Sequence, residues 1–369
     1  MMNNLTWAKQ KEFFENELSR REKRVQKYLM SSSYQNRFLP KHIHDAVYSY
    51  IRLGGKRLRP AILLFSCGAV GGDEEKALPA AAAVEVFHTW TLVHDDIIDN
   101  DKKRRGGATV HEEFRKKAIT EFNYNEDYAK HYGMSLAMLA GDVQQGWAAS
   151  LLSELYSKYN VDPGVVLYLI NDIETSVLNT LVEGETLDIQ YSKSSIESLD
   201  ENLITKMLWK KTGVLYEFSG KAGAMIGLNT NNPNNTLVNA ISRFTSRCGT
   251  AFQLQDDILG IVGDEEKLGK PVGSDIKEGK RTTIVYYAFK NADKKQKERL
   301  ECILGNNNAT EEEIEEAVDL LRELGGIEHT RALASSYIKD ASIYLKDIPE
   351  SGYKNLLSIW ADYMIKREF

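Results

Sequence analysis

Cysteine, proline and strand-like alternation are what this chain has least of. Its 369 residues include three cysteines, Cys67, Cys248 and Cys302, far apart and without a CxxC. That excludes a disulfide scaffold and a zinc ribbon, and it suits a reducing cytoplasm. Prolines number only seven, and the intervals from Pro79 to Pro163 and from Pro163 to Pro233 leave room for long helices. Clean two-residue alternation is almost absent, so a sheet has little to build on. Residues 1–20 are polar and charged, without the apolar core of a signal peptide. The stretch 77–93, the most apolar by eye, is interrupted by Glu85 and His88 and reads as a buried helix, not a membrane span. Positive charge is not in excess either. The formal net charge of −6 argues against a general nucleic-acid binder. The expectation is a soluble cytoplasmic protein with no integral membrane segment and no nucleic-acid partner.

What is present is helical patterning. Hydrophobic content of 42% and charged content of 27% fit an ordinary globular protein. Apolar residues recur at three and four, as in Leu151, Leu152, Leu155, Tyr156 and Tyr159. Asp162 before Pro163 writes a helix start, and Thr310 with Glu313 writes a capping box. Breaks are expected at Gly71-Gly72, at 229–235 and at 305–308. With no low-complexity linker and no repeat, the expectation is one all-α domain, 1–369, of roughly ten or more helices.

Two aspartate clusters stand out from this background. The first is Asp95-Asp96-Ile97-Ile98-Asp99, followed by Arg104-Arg105-Gly106; the second is Asp256-Asp257-Ile258-Leu259-Gly260, with Lys270 and Lys280 downstream. Residues three and four apart share a helix face, so Asp95 and Asp99 project together, about 6 Å apart along the axis. Carboxylates crowded on one face repel one another, and a metal ion or arginine relieves the repulsion. Magnesium suits the pattern, because it takes a few carboxylates, keeps waters and completes its octahedron with phosphate oxygens. An EF-hand fails on spacing: counted from Asp99, the turn glycine falls at Arg104. Arg104 and Arg105 suit a bidentate grip on phosphate. Gly54-Gly55-Lys56-Arg57-Leu58-Arg59-Pro60 lacks the Ser or Thr of a Walker loop and reads as a cradle for a second diphosphate.

Gly-Gly-Lys-Arg-Leu-Arg-Pro, His88, Asp95-Asp96-x-x-Asp99, Arg104-Arg105-Gly106, Lys211-Thr212, Phe252-Gln253-x-x-Asp256-Asp257 and Gly269-Lys270-Pro271, in that order, closely resemble the trans-type isoprenyl (polyprenyl) diphosphate synthases. The resemblance runs from about Leu39 to Phe369 and is most like the geranylgeranyl diphosphate synthases. It implies the isoprenoid synthase fold, a bundle of long helices around a central cavity, and a homodimer. It implies a transferase of isoprenoid biosynthesis that condenses isopentenyl diphosphate with an allylic diphosphate. A cluster of two or three Mg²⁺ ions would be held by Asp95, Asp96, Asp99, Asp256 and Asp257. Arg104, Lys211, Gln253, Lys270 and Lys280 would contact the allylic substrate. Lys56, Arg59, His88 and Arg105, with Gly55 and Arg57 alongside, look like the isopentenyl diphosphate pocket. Thr212 and Gln253 resemble the groups that steady the allylic cation.

Three departures from the family pattern remain. Gly260 stands where many members have a third aspartate, which leaves the role of Asp264 open. Glu185, in Gly184-Glu185-Thr186-Leu187-Asp188, stands where glutamine is usual. The segment 117–132 looks like an insertion, polar enough for a surface loop near the site mouth. For product length, Trp90 lies five residues before Asp95, about 7.5 Å along the helix, with Phe87 one turn below and Thr91 beside it. In the family that this chain resembles, a bulky residue at this position ends chain growth early, so the resemblance implies geranylgeranyl diphosphate, with farnesyl diphosphate second. Two other readings stay open: a class I terpene cyclase and a non-catalytic subunit of a heteromeric synthase.

Overall fold

The computed structural model describes residues 6–262, 273–306 and 308–366, and the expected all-α class is what it shows. In chain order the helices are α1 (Trp7–Leu29), α2 (Ser32–Gln35), α3 (Lys41–Leu53), α4 (Leu58–Ala69) and α5 (Glu74–Ile98). A hairpin of β1 (Lys103–Arg104) and β2 (Gly107–Ala108) follows, then α6 (Val110–Phe122), α7 (Glu126–Tyr159), α8 (Pro163–Asn171) and α9 (Leu178–Ser192). Next come α10 (Glu201–Leu208), α11 (Val214–Leu228), α12 (Thr236–Val262), α13 (Ser274–Glu278) and α14 (Thr283–Asn291). The last are α15 (Lys294–Ile303), α16 (Glu311–Glu323), α17 (Gly326–Tyr344) and α18 (Gly352–Lys366).

The written helix signals are used as expected. Asp162 accepts from the Gly164 backbone N–H with Pro163 in the first turn, and Thr310 and Glu313 form the reciprocal capping box. The breaks at 71–72, at 229–235 and near 305 all fall between helices. Two interruptions were not expected. Wider π-helical turns occupy Asp172–Val177, between α8 and α9, and Trp209–Gly213, between α10 and α11.

The segment 117–132 is not a loop. It is the end of α6 and the start of α7, joined across 123–125, with Asn125 capping α7 by accepting from Tyr128 N–H. Its polar side chains are paired, Lys117 with Glu113 one turn back on α6 at 2.7 Å and Glu126 of α7 with Arg115 of α6 at 2.5 Å. Its aromatic rings pack at the turn, with Tyr124 and Tyr128 centroids 4.7 Å apart.

The chain forms two compact units. The first comprises Met1–Ile173, Lys221–Val238 and Glu350–Leu356. Here α5 packs against α1, α4 and α7, and α7 packs against α3 and α6. The stretch 77–93 is buried in this unit as expected, except that His88, Thr91 and Leu92 are half-buried. Glu154 on α7 accepts from Tyr28 and Tyr34 at 2.5 Å each and from Lys158 at 2.8 Å, which ties α1 and α2 to α7.

The second unit comprises Glu174–Gly220, Asn239–Pro349 and Leu357–Phe369. Its core gathers Ile204 and Leu208 of α10, Leu254 and Ile258 of α12, Ile284 of α14 and Leu321 of α16. The helical run Pro163–Ser192 is, by length and composition alone, apolar enough to cross a membrane. A soluble core helix passes the same test, and this run holds Asp172 in an ion pair with Lys221 at 3.0 Å.

Candidate active site

In the first unit, the loop between α3 and α4 carries the cradle sequence. Gly55 has φ +144, and a Cβ there would lie 2.5 Å from the Arg105 guanidinium, so only glycine admits that side chain. Arg105 sits at the tip of the β1–β2 hairpin. Arg105 and Gly106 have φ of 51 and 77, the left-handed pair that a two-residue hairpin turn of right-handed twist needs. From the tip Arg105 donates to the Gly54 carbonyl. Arg59 donates to His88 Nε2 at 3.1 Å. An arginine only donates, so His88 accepts on Nε2 and carries its proton on Nδ1, 3.3 Å from Thr91 Oγ1. Thr91 in turn donates to the His88 carbonyl at 2.8 Å. Burial, and the charges of Arg59, Arg105 and Arg104, hold His88 well below its usual pKa, hence neutral.

Arg57 faces the other way. Its side chain is 1% exposed and reaches Glu85 at 3.2 Å, the Ile51 carbonyl at 2.9 Å and the Glu22 carbonyl at 3.4 Å. The sequence expectation put it beside a substrate; the structure makes it an internal brace under the cradle.

The first aspartate cluster ends α5. Asp95 and Asp99 are half-buried, while Asp96 is fully buried. Arg104 Nε lies 2.7 and 2.8 Å from the two Asp96 oxygens, and its Nη2 lies 2.6 Å from Oδ1. Tyr50 donates to the other oxygen, Oδ2. Burial pushes the Asp96 carboxyl up, and the bonds from Arg104 and Tyr50 pull it back. Asp96, expected as a metal ligand, is thus committed to the protein on both oxygens. Asp95 also meets Arg104, at a longer 3.4 Å.

On the same helix Phe87, Trp90 and His94 form a ladder of rings, with centroids 4.9 and 5.8 Å apart. Phe87 is fully buried and Trp90 nearly so. His94 packs so closely on α7 that a Cβ at Gly141 would sit 2.1 Å from its ring. Thr91 lies off this ladder, with His88.

In the second unit, Lys211 and Thr212 lie in the π turn Trp209–Gly213. Gly184 lets α9 touch that turn, since a Cβ there would be 2.4 Å from the Lys211 backbone nitrogen. Lys211 Nζ is gripped by Glu185 at 2.8 Å and Asp188 at 2.7 Å. Thr212 donates to Gln253 Oε1 at 2.7 Å, and Gln253 Nε2 donates to Asp257 Oδ1 at 2.9 Å. Asp257 is buried; burial and the charges of Asp275, Asp256 and Asp188 raise its pKa well above the usual carboxylate range. Its Oδ2 has no partner among the described residues. Lys280 pairs with Glu278 at 2.8 Å and Asp275 at 3.7 Å. Lys270 and Asp264 lie outside the described residues.

Each aspartate pair therefore divides alike: an outer carboxylate, Asp95 or Asp256, and an inner, buried one that orients a neighbour. Among the described residues no group of three His, Cys, Asp or Glu is gathered tightly enough to cage an ion. Magnesium, which takes one or two carboxylates and fills its octahedron with water and phosphate oxygens, does not require such a cage. The bare Asp257 Oδ2 within an acidic surround is where a divalent cation would relieve repulsion. Sequence reasoning missed Tyr50, the hairpin and the π turn; a two-residue Arg-Gly turn was the one available signal, for the hairpin.

The chain is similar over most of its length to known proteins. A geranylgeranyl diphosphate synthase of Saccharolobus solfataricus is 34% identical over 329 residues, 89% of this chain and 91% of that protein. The solved structure of a geranylgeranyl pyrophosphate synthetase from Pyrococcus horikoshii matches with TM-score 0.79 and 33% identity, covering 96% of this chain and 99% of that one. The geranylgeranyl pyrophosphate synthase of Corynebacterium glutamicum, solved with isoprenyl diphosphate and magnesium, matches with TM-score 0.79 and 26% identity over 99% of this chain and 100% of that one. The family model described as polyprenyl synthetase matches residues 40–321, and the chain belongs to that family.

Proposed function

We propose that the protein condenses isopentenyl diphosphate with an allylic diphosphate, head to tail, to give geranylgeranyl diphosphate, with farnesyl diphosphate the second reading of its product. The observation that carries this reading is the cluster of cations in the first unit, where Arg59 donates to a His88 that burial and the charges of Arg59, Arg105 and Arg104 keep neutral, and Arg104 meets Asp95 at 3.4 Å. Such a concentration of guanidinium groups is built for diphosphate oxygens. The names of the relatives support the product class.

In this reading Lys56, Arg59 and Arg105, with the Gly55 backbone, hold isopentenyl diphosphate. Arg104, Lys211, Lys280 and Lys270 hold the allylic diphosphate. Heterolysis of the allylic C–O bond sends both electrons to the diphosphate; the isopentenyl double bond then attacks the cation. Loss of a proton, to an oxygen of the released diphosphate, restores a double bond. Thr212 and Gln253, locked to one another, present oxygen dipoles to the passing positive charge. Magnesium bound at Asp95, Asp99, Asp256 and Asp257 would neutralise the departing diphosphate. The ladder of Phe87 and Trp90 stops chain growth.

The chain is further proposed to act as one domain, in the cytoplasm, as a homodimer. Its three free thiols support the compartment. Met138, Leu139 and Tyr156, left exposed on α7, support a second copy covering that helix. The test is one incubation of purified protein with Mg²⁺, isopentenyl diphosphate and farnesyl diphosphate. Linear geranylgeranyl diphosphate supports the synthase; a cyclic hydrocarbon, or no turnover, overturns it in favour of a cyclase or a non-catalytic subunit.

A further inference from the structure

Tyr50, on α3, is 2% exposed and belongs to none of the motifs that carry the family resemblance. Its hydroxyl nonetheless joins three elements. It donates to Asp96 Oδ2 at the end of α5, and it accepts from the backbone N–H of Val110, the first residue of α6, at 3.2 Å. That N–H belongs to the first turn of α6, where no intrahelical partner exists, and the N-cap Thr109 supplies no side-chain cap. Thr109 is instead spent on closing the hairpin loop, donating to the Asp101 carbonyl at 2.7 Å. Between these fixed points hangs the hairpin that carries Arg104.

Arg104 meets Asp96 edge-on through Nε and Nη2. Its Nη1 makes no hydrogen bond within the protein among the described residues. The direction of that Nη1 edge is set by Asp96, whose own plane is set by Tyr50. A carboxylate held by one partner can rotate about its Cβ–Cγ bond; held at Oδ2 by Tyr50 and along its other edge by Arg104, it cannot.

We infer that Tyr50 is a positioning residue of the reaction: through Asp96 it aims the Arg104 guanidinium at the allylic diphosphate. This rests on the proposed function, in which Arg104 binds that substrate while Lys56, Arg59 and Arg105 bind isopentenyl diphosphate. The two substrates give the test its contrast. Tyr50→Phe keeps the ring and removes the hydroxyl, so KM for farnesyl diphosphate should rise about tenfold or more, the scale of one misaligned charge-assisted bond. KM for isopentenyl diphosphate should stay within about twofold. A merely structural loss would lower the active fraction, and so kcat, without separating the two KM values.

Asp96→Asn provides the second variant should Tyr50→Phe fold poorly. It keeps the shape and weakens the hold on Arg104, so it should show the same one-sided rise in KM. Combining the two substitutions should add little to either alone, because both act through Arg104. Direct binding of inorganic pyrophosphate, followed by calorimetry without metal, should weaken in both single variants. Equal changes in both KM values, an unchanged farnesyl diphosphate KM in either folded variant, or fully additive effects would overturn the inference. An inactive wild-type protein would instead overturn the proposed function.

Discussion

Arg59 donates to His88 Nε2 at 3.1 Å, a bond that a protonated imidazole could not accept. Desolvation and the charges of Arg59, Arg105 and Arg104 hold the pKa of the half-buried His88 well below 6.5. The unfolded chain takes up this proton near 6.5, whereas the folded chain resists until the pH is lower. Stability from this site is therefore complete above about 6.5 and declines as pH falls from there toward the depressed folded value. Thermal midpoints measured from about pH 8 to about pH 5 should show an acid-side slope. His88→Gln, which cannot titrate, should flatten part of it, and identical slopes in the two proteins would contradict the assignment.

Arg57 and Lys56 are neighbours in sequence, the first buried against Glu85 and the second exposed and proposed to hold isopentenyl diphosphate. Arg57→Ala strands Glu85 as a buried charge and should cost about 3–5 kcal/mol of stability. Lys56→Ala, at an exposed position, should leave the unfolding midpoint near the parental value and raise KM for isopentenyl diphosphate. Denaturant titration beside steady-state kinetics separates the two outcomes. A stable Arg57→Ala with a selective KM defect would return Arg57 to the substrate pocket.

Glu185 and Asp188 together place two negative charges on one Lys211 ammonium. Glu185→Gln should leave Lys211 anchored by Asp188 while removing repulsion toward an incoming diphosphate. KM for the allylic substrate is expected to fall by roughly threefold, a fraction of a kcal/mol at partial exposure. A rise would mean that the second carboxylate is needed to hold Lys211 in place.

Trp90→Ala opens the ring ladder below the aspartates. Longer prenyl products should appear on chromatography of the dephosphorylated chains, together with a stability loss of roughly 3–5 kcal/mol from the cavity. An unchanged product spectrum in a folded variant would remove Trp90 as the stop, leaving it a core residue packed on Phe87 and His94.

Much of this was readable from the chain, and the failures have physical causes. Helix starts at Asp162 and Thr310 and the breaks between helices rest on local chemistry, which the sequence states outright. The hairpin at 103–108 was hidden because strands of two residues show no period. The π turn holding Lys211 was hidden because one wider turn does not disturb a three-and-four pattern. The polarity of 117–132 was mistaken for a loop; surface helices also hold polar residues, and here they pair across turns. The different settings of Asp95 and Asp96 were beyond reach, since adjacent identical letters are distinguished by Tyr50 and Arg104, brought in from other elements.

Formation of geranylgeranyl diphosphate by the wild-type protein, set against Asp95→Ala and Asp256→Ala at saturating substrates and Mg²⁺, probes the proposed chemistry at its root. Removing either outer carboxylate should slow condensation by at least about a thousandfold, through lost stabilisation of the leaving diphosphate. Parental rates in either variant, or turnover that survives a chelator, would mean that these aspartates do not hold the ion on which ionisation is proposed to depend.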